Sequence, residues 1–267
     1  MRVTMTTTAA ATSAANEDFT GAIPTAAVLI DGAGVSGIES ICRHGVAWYA
    51  HHLGGELLSL LSLDSDRSLP VLLSEAIGRI ADAHRDSCDL ADPSSPSATV
   101  AVLRLSGDRA EYLVLGDSLL VLDRAGDPLV VTDRREVALS RPYRIALEAA
   151  TPESAEYDQV RSDFIDVLRA NRNQPGGFWV AKDDPQAAVE AITGSCAISD
   201  LSGAVLLSNG ASRIVDRFQL ARWPEVLEIL ASSGPATIVR RVRAEEARRG
   251  VAADDATIAF CTDLSES

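Results

Sequence analysis

Acidic residues stand where apolar segments of this sequence begin or end. Two precede the first apolar run, one ends it, and two precede the last run: Glu17, Asp18, Asp31, Asp254 and Asp255. Carboxylates at strand ends are suited to hard divalent cations such as Mg²⁺ and Mn²⁺, which prefer oxygen ligands. Each acid taken alone could instead be a solvated cap or turn residue. Taken together, the pattern predicts a cation site.

Six short motifs follow one another along the chain. They are Asn16-Glu17-Asp18, Asp31-Gly32-Ala33-Gly34, Ser97-Ala98-Thr99, Gly116-Asp117-Ser118, Ser208-Asn209-Gly210 and Asp254-Asp255-Ala256-Thr257. Each is short and common, but their order is specific. From Asn16 to Phe260 that order resembles the metal-dependent protein phosphatase family of type 2C.

The resemblance implies an α+β fold in four layers, with a central antiparallel β-sandwich flanked by helix pairs. It also implies a dinuclear Mg²⁺ or Mn²⁺ centre at one end of the sandwich. There Asp31 would bridge both ions, Gly32 would offer its carbonyl, and Asp117 would hold a weaker third ion. The full ligand set expected from the family is Glu17, Asp18, Asp31, Gly32, Asp117, Asn209, Asp254 and Asp255.

The implied reaction is hydrolysis of phosphoserine or phosphothreonine by a metal-activated water, with no covalent enzyme intermediate. A phosphorylated protein would then be the partner. Two other functions are compatible with the same motifs. One is a catalytically silent binding or regulatory protein, and the other is a hydrolase for a small phosphorylated metabolite.

Three positions depart from the family pattern. Asn209 replaces an acid, which removes one formal charge from a metal site and should weaken the binding of one ion. Ala33 replaces a histidine thought to protonate the leaving group. Ser13 replaces the arginine that grips the substrate phosphate. By its position near the first helix, Arg43 is the candidate substitute for phosphate binding.

Histidines and cysteines are expected to meet where the first two helices pack antiparallel. This packing would bring Cys42 and His44 beside His84 and Cys88. His44 or His84 could then act as the substitute proton donor. A zinc site made of these four residues is an alternative, as is simple packing in the core.

Hydrophobic periodicity predicts the elements that must position these residues. Helices are expected over Gly37–Leu63, Leu69–His84, Trp223–Ser232 and Ala236–Arg249, and the charge-rich segment 133–172 also has a helical period. Four closely spaced strands between Ala98 and Val131 predict an antiparallel meander. We expect a flexible or edge-strand segment over 1–15 and a single domain over 16–263, with 133–177 as a helical flap-like insertion.

Composition limits the class of protein. The 267 residues are 46% hydrophobic and 23% charged, which favours a folded chain over a disordered one. The net charge of −14 disfavours partners that are nucleic acids or anionic membranes. Neither a membrane span nor a secretory signal is recognisable, and four scattered cysteines fit a reducing compartment, so we expect a cytoplasmic protein.

Overall fold

Two antiparallel sheets form the centre of the computed structural model, which describes residues 1–34, 42–63, 66–125 and 127–264. The first sheet has the order β1 (Arg2–Thr8), β10 (Ala256–Thr262), β9 (Gly203–Leu207), β6 (Leu119–Arg124) and β7 (Asp127–Val131). The second has the order β2 (Asp18–Ile23), β3 (Ala26–Ala33), β4 (Ser97–Ser106), β5 (Arg109–Leu115) and β8 (Ile192–Ala197).

Helices cover both outer faces of the sandwich. On the second sheet lie α1 (Gly45–Leu63) and α2 (Leu69–His84), and on the first lie α5 (Asn209–Asp216), α6 (Trp223–Ser233) and α7 (Pro235–Arg249). A further antiparallel pair, α3 (Arg135–Ala149) and α4 (Ala155–Asn171), follows β7 and falls within the predicted insertion. Short 3₁₀ helices occupy Pro185–Glu190 and Ile198–Asp200.

Three apolar layers hold the fold together. The inner layer, between the sheets, contains fully buried side chains such as Leu29, Leu103 and Leu206. The outer layers bury α1 and α2 against one sheet and α5 to α7 against the other. Burying one such leucine contributes roughly 1.5–3 kcal/mol. The α+β sandwich with flanking helix pairs is confirmed.

The predicted meander is wrong at its middle connection. Strands β4 and β5 pair, as do β6 and β7, but β6 pairs with β9 of the other sheet rather than with β5. The chain therefore crosses between the sheets at Gly116-Asp117-Ser118. Gly116 has a φ of +76°, which a residue with a side chain rarely adopts, and this permits the sharp change of direction.

Two other boundaries differ from the sequence-based predictions. The first helix begins at Gly45 rather than Gly37, since residues 42–44 form a turn closed by a hydrogen bond from the Gly45 amide to the Cys42 carbonyl; residues 37–41 lie outside the described ranges. Asn209, expected in a turn, is the first residue of helix α5. Within the described ranges, no helix is long and apolar enough to span a membrane.

Candidate metal centre

Strand pairing in the second sheet brings the first acidic motifs together. Asp18 on β2 lies directly opposite Asp31 on β3, and Asp31 lies opposite Thr99 on β4. The Gly32 amide donates a hydrogen bond to the Glu17 carbonyl at 3.1 Å. A Cβ at position 32 would lie 2.4 Å from that carbonyl oxygen, so only glycine allows this close approach.

The crossing between the sheets places Asp117 at the same end of the sandwich. The Thr99 and Ser118 hydroxyls share a hydrogen bond of 2.7 Å across the crossing. A Cβ at Gly116 would lie 2.5 Å from Thr99 Cγ2. This connection, predicted as a hairpin turn, therefore positions the Asp117 carboxylate.

Asn209 connects two of the acids through its backbone and its side chain. Its amide nitrogen donates to Asp31 Oδ2 at 2.8 Å, and its side-chain Nδ2 donates to Asp117 Oδ2 at 2.7 Å. The residue stands at the point where β9 ends and α5 begins. An aspartate here would lose the hydrogen bond to Asp117 and would place two carboxylates together.

Asp254 and Asp255 have different surroundings. Both oxygens of Asp255 accept backbone N–H groups, from Ala10 at 2.6 Å and from Glu17 at 2.5 Å. Asp254 lines the cavity described below, and its Oδ2 accepts a hydrogen bond from Arg213 at 2.6 Å. Asp255 thus fixes the chain before β2, whereas Asp254 faces the centre with an arginine attached.

A cavity of about 790 Å³ lies over these side chains. Its acidic and amide lining comprises Glu17, Asp31, Asp117, Glu136, Asn209 and Asp254. The opposite wall is formed by α3, α4 and the residue that follows α4. That wall carries a group of arginines, Arg144, Arg161, Arg169 and Arg172. The cavity therefore has one wall of acids from the sandwich and one wall, formed by α3 and α4, on which the arginines are accompanied by Glu136.

Burial, followed by crowding, raises the pKa values of several of these acids. Burial, together with the neighbouring Asp18 and Asp117, raises the pKa of Asp31 well above its usual value. Burial raises the pKa of Asp18 to about 7, although hydroxyls of Thr257 and Ser208 partly counteract it. Burial and then Glu136 raise the pKa of Asp117 to about 6.

These observations fit a divalent cation. Asp18 is 3% exposed and its Oδ2 has no hydrogen-bond partner. The candidate ligand atoms around the cavity are carboxylate, amide and carbonyl oxygens, which are the ligands that Mg²⁺ and Mn²⁺ prefer. A cation among them would stabilise the ionised carboxylates, whose pKa values are raised by burial and by mutual repulsion.

The predicted catalytic and phosphate-binding residues lie elsewhere. Of the described residues that line the cavity, none is a histidine. His44 and His84 lie beside Trp48, with ring centroids 4.4 and 5.1 Å from its ring, and His84 is buried. Arg43 is exposed, and its Nε donates to His44 Nε2 at 3.4 Å. The structure does not bring these three residues to the carboxylates.

Two sets of site residues were missed in the sequence. One is the group of arginines on α3 and α4, for which the only signal was the charge-rich helical segment 133–172. The other is Arg213, which is bound to both Asp254 and the buried Glu246, each at 2.6 Å. Arg213 lies four residues after Asn209, one turn along α5, and this spacing was the available signal.

Comparisons with known proteins agree with this architecture. The Mycobacterium tuberculosis serine/threonine phosphatase PstP/Ppp is 18% identical, with 98% of this chain and 97% of that chain covered and a TM-score of 0.59. A bacterial serine phosphatase is 13% identical, with 100% and 99% covered and a TM-score of 0.61. The catalytic domain of PstP in complex with two manganese ions is 19% identical, with 98% and 97% covered and a TM-score of 0.55.

At these identities the structural matches establish the fold and no more. Among curated protein sequences, none matches the chain. The model of one family, described as protein phosphatase 2C, matches residues 9–263, which is nearly the whole length. The order of the acidic motifs, their convergence at one end of the sandwich and this match agree, and the chain belongs to the protein phosphatase 2C family.

Proposed function

We propose that this protein is a divalent-cation-dependent phosphatase that hydrolyses phosphoserine or phosphothreonine in proteins. The observation that carries the proposal is the convergence of Glu17, Asp31, Asp117 and Asp254 on one cavity. Burial and neighbouring acids raise the pKa values of Glu17, Asp31 and Asp117, which a cation would counteract, and the related PstP domain was solved with two manganese ions. We propose the same class of ion, Mn²⁺ or Mg²⁺, for this chain.

Asp31 would contact both ions, with the Gly32 carbonyl and either Glu17 or Asp18 completing one site. Asp254 and Asn209 would contribute to the other, and Asp117 would hold a weaker third ion. Such ions supply an activated water and neutralise charge on the phosphoryl oxygens. Asp255 has a different role in the proposal, since its two oxygens hold backbone amides and thereby position Glu17.

The arginines of the opposite wall would hold the substrate phosphate. Arg169 donates to the Ser94 hydroxyl at 2.9 Å, and Arg172 to the Pro93 carbonyl at 3.2 Å. The Nε atoms of both residues are buried without a hydrogen-bond partner. Burial and the neighbouring Arg169 lower the pKa of Arg172. A phosphate dianion would satisfy both donors and neutralise the two like charges.

One set of contacts favours a second candidate, a silent binding or regulatory protein. Asn209 already donates one hydrogen bond to Asp31 and one to Asp117, and Arg213 donates one to Asp254. These bonds hold the acids without a metal. A chain that had lost catalysis would be expected to carry such internal replacements for the ions.

Turnover of p-nitrophenyl phosphate and of a phosphothreonine peptide, with and without Mn²⁺, separates the two candidates. The phosphatase is expected to need the metal and to lose at least about a hundredfold in rate on Asp31→Asn, as for removal of a metal ligand. Asp82→Asn, an exposed acid on α2, is the matched control. Absence of turnover in the unaltered chain, combined with retained phosphopeptide binding, would favour the silent protein.

A further inference from the structure

A second group of metal-binding side chains lies outside the cavity. Cys42 precedes α1, His44 lies in the same turn, and Cys88 follows the end of α2. One ligand atom of each, namely two thiol sulfurs and one imidazole nitrogen, can be chosen so that all lie within 4.8 Å of one another. We propose that these three residues bind a zinc ion that joins the start of α1 to the end of α2.

The distances fit tetrahedral coordination. His44 Nδ1 lies 3.6 Å from Cys42 Sγ and 3.4 Å from Cys88 Sγ. A tetrahedral zinc with Zn–S of about 2.3 Å and Zn–N of about 2.05 Å separates S and N by about 3.6 Å. The imidazole nitrogen therefore needs little movement relative to either sulfur to receive the ion. Thiolate and imidazole are also the softer ligands that zinc prefers over magnesium.

Neighbouring residues hold this arrangement in place. The His44 ring stacks on Trp48 with centroids 4.4 Å apart. The Cys88 amide donates to the His84 carbonyl at 3.0 Å, which continues α2 by one turn and brings the thiol to His44. Zinc on Nδ1 would leave the His44 proton on Nε2, so Arg43, which now donates to Nε2, must turn away. Arg43 is exposed, so this movement is inexpensive.

The zinc site would support the metal centre without being part of it. Gly45 and Val46, which follow the zinc ligands, line the cavity. A Cβ at Gly32 would lie 2.7 Å from Val46 Cγ1, so α1 packs directly against the end of β3 that carries Asp31. Fixing the first turn of α1 would therefore hold the residues that pack against the end of β3. His84, the fourth ligand expected from the sequence, is not in this group, and its Nδ1 is bonded to the Ile80 carbonyl at 2.6 Å, so the fourth coordination position is left for water.

Cobalt substitution tests the proposal. The reduced full chain, freed of metal and titrated with Co²⁺, is expected to show the sulfur-to-cobalt charge-transfer absorption of thiolate ligation at one equivalent. Carboxylate ligands cannot produce this band, so the readout is independent of the cation site at Asp31. Cys42→Ser and Cys88→Ser are each expected to lose it, whereas Cys196→Ser, a half-buried thiol on β8, and Asp31→Asn should keep it.

Zinc content gives a second measurement. Protein purified without chelator should contain about one zinc per chain by mass spectrometry, and Cys88→Ser, whose thiol is partly exposed, should contain none. The proposal is overturned if Co²⁺ gives no thiolate band in the reduced chain, or if the band survives both ligand substitutions. A Cys42–Cys88 disulfide that persists under reducing purification would overturn it as well.

Discussion

At the scale of residues, buried carboxylates without a full set of partners are the defining feature of this protein. Asp18 has an oxygen without a hydrogen-bond partner, and Asp31 lies near Asp18, Asp117 and Asp254. Folding brings these groups out of water and close together, which costs free energy when they are ionised. These carboxylates lie together at the end of the sandwich where the cavity lies.

The pH dependence of stability should reveal this cost. Asp18, Asp31 and Asp117 have raised pKa values in the folded chain and values of about 4 in the unfolded chain. Between these values the folded state binds more protons, so the free energy of unfolding falls as the pH rises. In chelator, it should decrease from about pH 4 to about pH 7, the pKa of Asp18, as measured by urea unfolding.

Asp18→Asn isolates one of these groups. The variant should show a shallower pH dependence and should be more stable than the unaltered chain at neutral pH in chelator, because a neutral amide replaces a buried charge. With added Mn²⁺, the unaltered chain should instead be more stable than the variant. Equal slopes for the two proteins in chelator would contradict the assignment of the raised pKa to Asp18.

Asn209→Asp should increase metal affinity and lower stability without metal. The added carboxylate provides a charged ligand, and affinity for Mn²⁺ measured by calorimetry should rise on the order of tenfold, about 1.4 kcal/mol. In chelator the variant should melt at a lower temperature, because the bond to Asp117 is replaced by repulsion.

Asn209→Ala is the matched control for that prediction. It removes the same hydrogen bond to Asp117 but adds no charge, so it should lower stability without increasing affinity for Mn²⁺. If Asn209→Asp bound Mn²⁺ no more tightly than the unaltered chain, position 209 would not be a ligand.

At the scale of elements, the pair of helices α3 and α4 determines what the cavity can hold. Tyr143 and Phe164 stack between the helices with ring centroids 5.8 Å apart, and Phe164 also lines the cavity. The start of α3 is fixed by Arg135, which binds Asp133 and Glu190. The pair thus presents its arginines to the acids from a defined position.

Removing an arginine from this wall should weaken phosphate binding. Arg172→Ala is expected to raise KM for a phosphopeptide by about tenfold or more, the effect of losing a charge-assisted hydrogen bond, with a smaller change in kcat. Affinity for inorganic phosphate should fall in parallel. Arg172→Lys keeps the charge without the planar fork and should be intermediate.

Arg43→Ala provides the comparison, since Arg43 was the phosphate-binding candidate from the sequence. We expect its KM to match that of the unaltered chain. The reverse result, a raised KM for Arg43→Ala and an unchanged one for Arg172→Ala, would return phosphate binding to Arg43.

At the scale of the whole molecule, the two ends of the chain hold each other. Strand β1 pairs with β10 along its full length, from Arg2 with Thr262 to Thr8 with Ala256. Asp255 then accepts the amides of Ala10 and Glu17. The first and last acidic motifs therefore reach the same cavity, although more than two hundred residues separate them in the sequence.

Asp255→Asn should loosen this closure. One backbone amide would face the side-chain NH₂ instead of an oxygen, and the free energy of unfolding should fall by about 1–3 kcal/mol. Hydrogen exchange at Ala10 and Glu17 should become faster. Asp263→Asn removes only an exposed ion pair with Arg2 and should have less than about 1 kcal/mol of effect. Equal losses of unfolding free energy in both variants would contradict the role of Asp255 in joining the two ends of the chain.

The sequence by itself determined most of the helices and strands and the list of acids. Apolar periodicity depends on neighbours a few residues away, so α2 and the four strands between Ala98 and Val131 were recognisable within a residue or two, whereas β2 and α5 were not predicted. The motif order likewise indicated the sandwich and the expected cation ligands. Local pattern could not reveal which strands pair, because pairing depends on partners far along the chain.

Only the tertiary structure decided how these parts meet. Strand β6 pairs within the other sheet, and Asp255 accepts hydrogen bonds from backbone amides. Arg213 binds Asp254, and the arginines of α3 and α4 line the cavity opposite the acids. The tertiary structure also gathered the thiols with His44 rather than bringing the histidines to the cavity. Side-chain partners follow from packing in three dimensions, and the spacing of residues along a chain does not specify that packing.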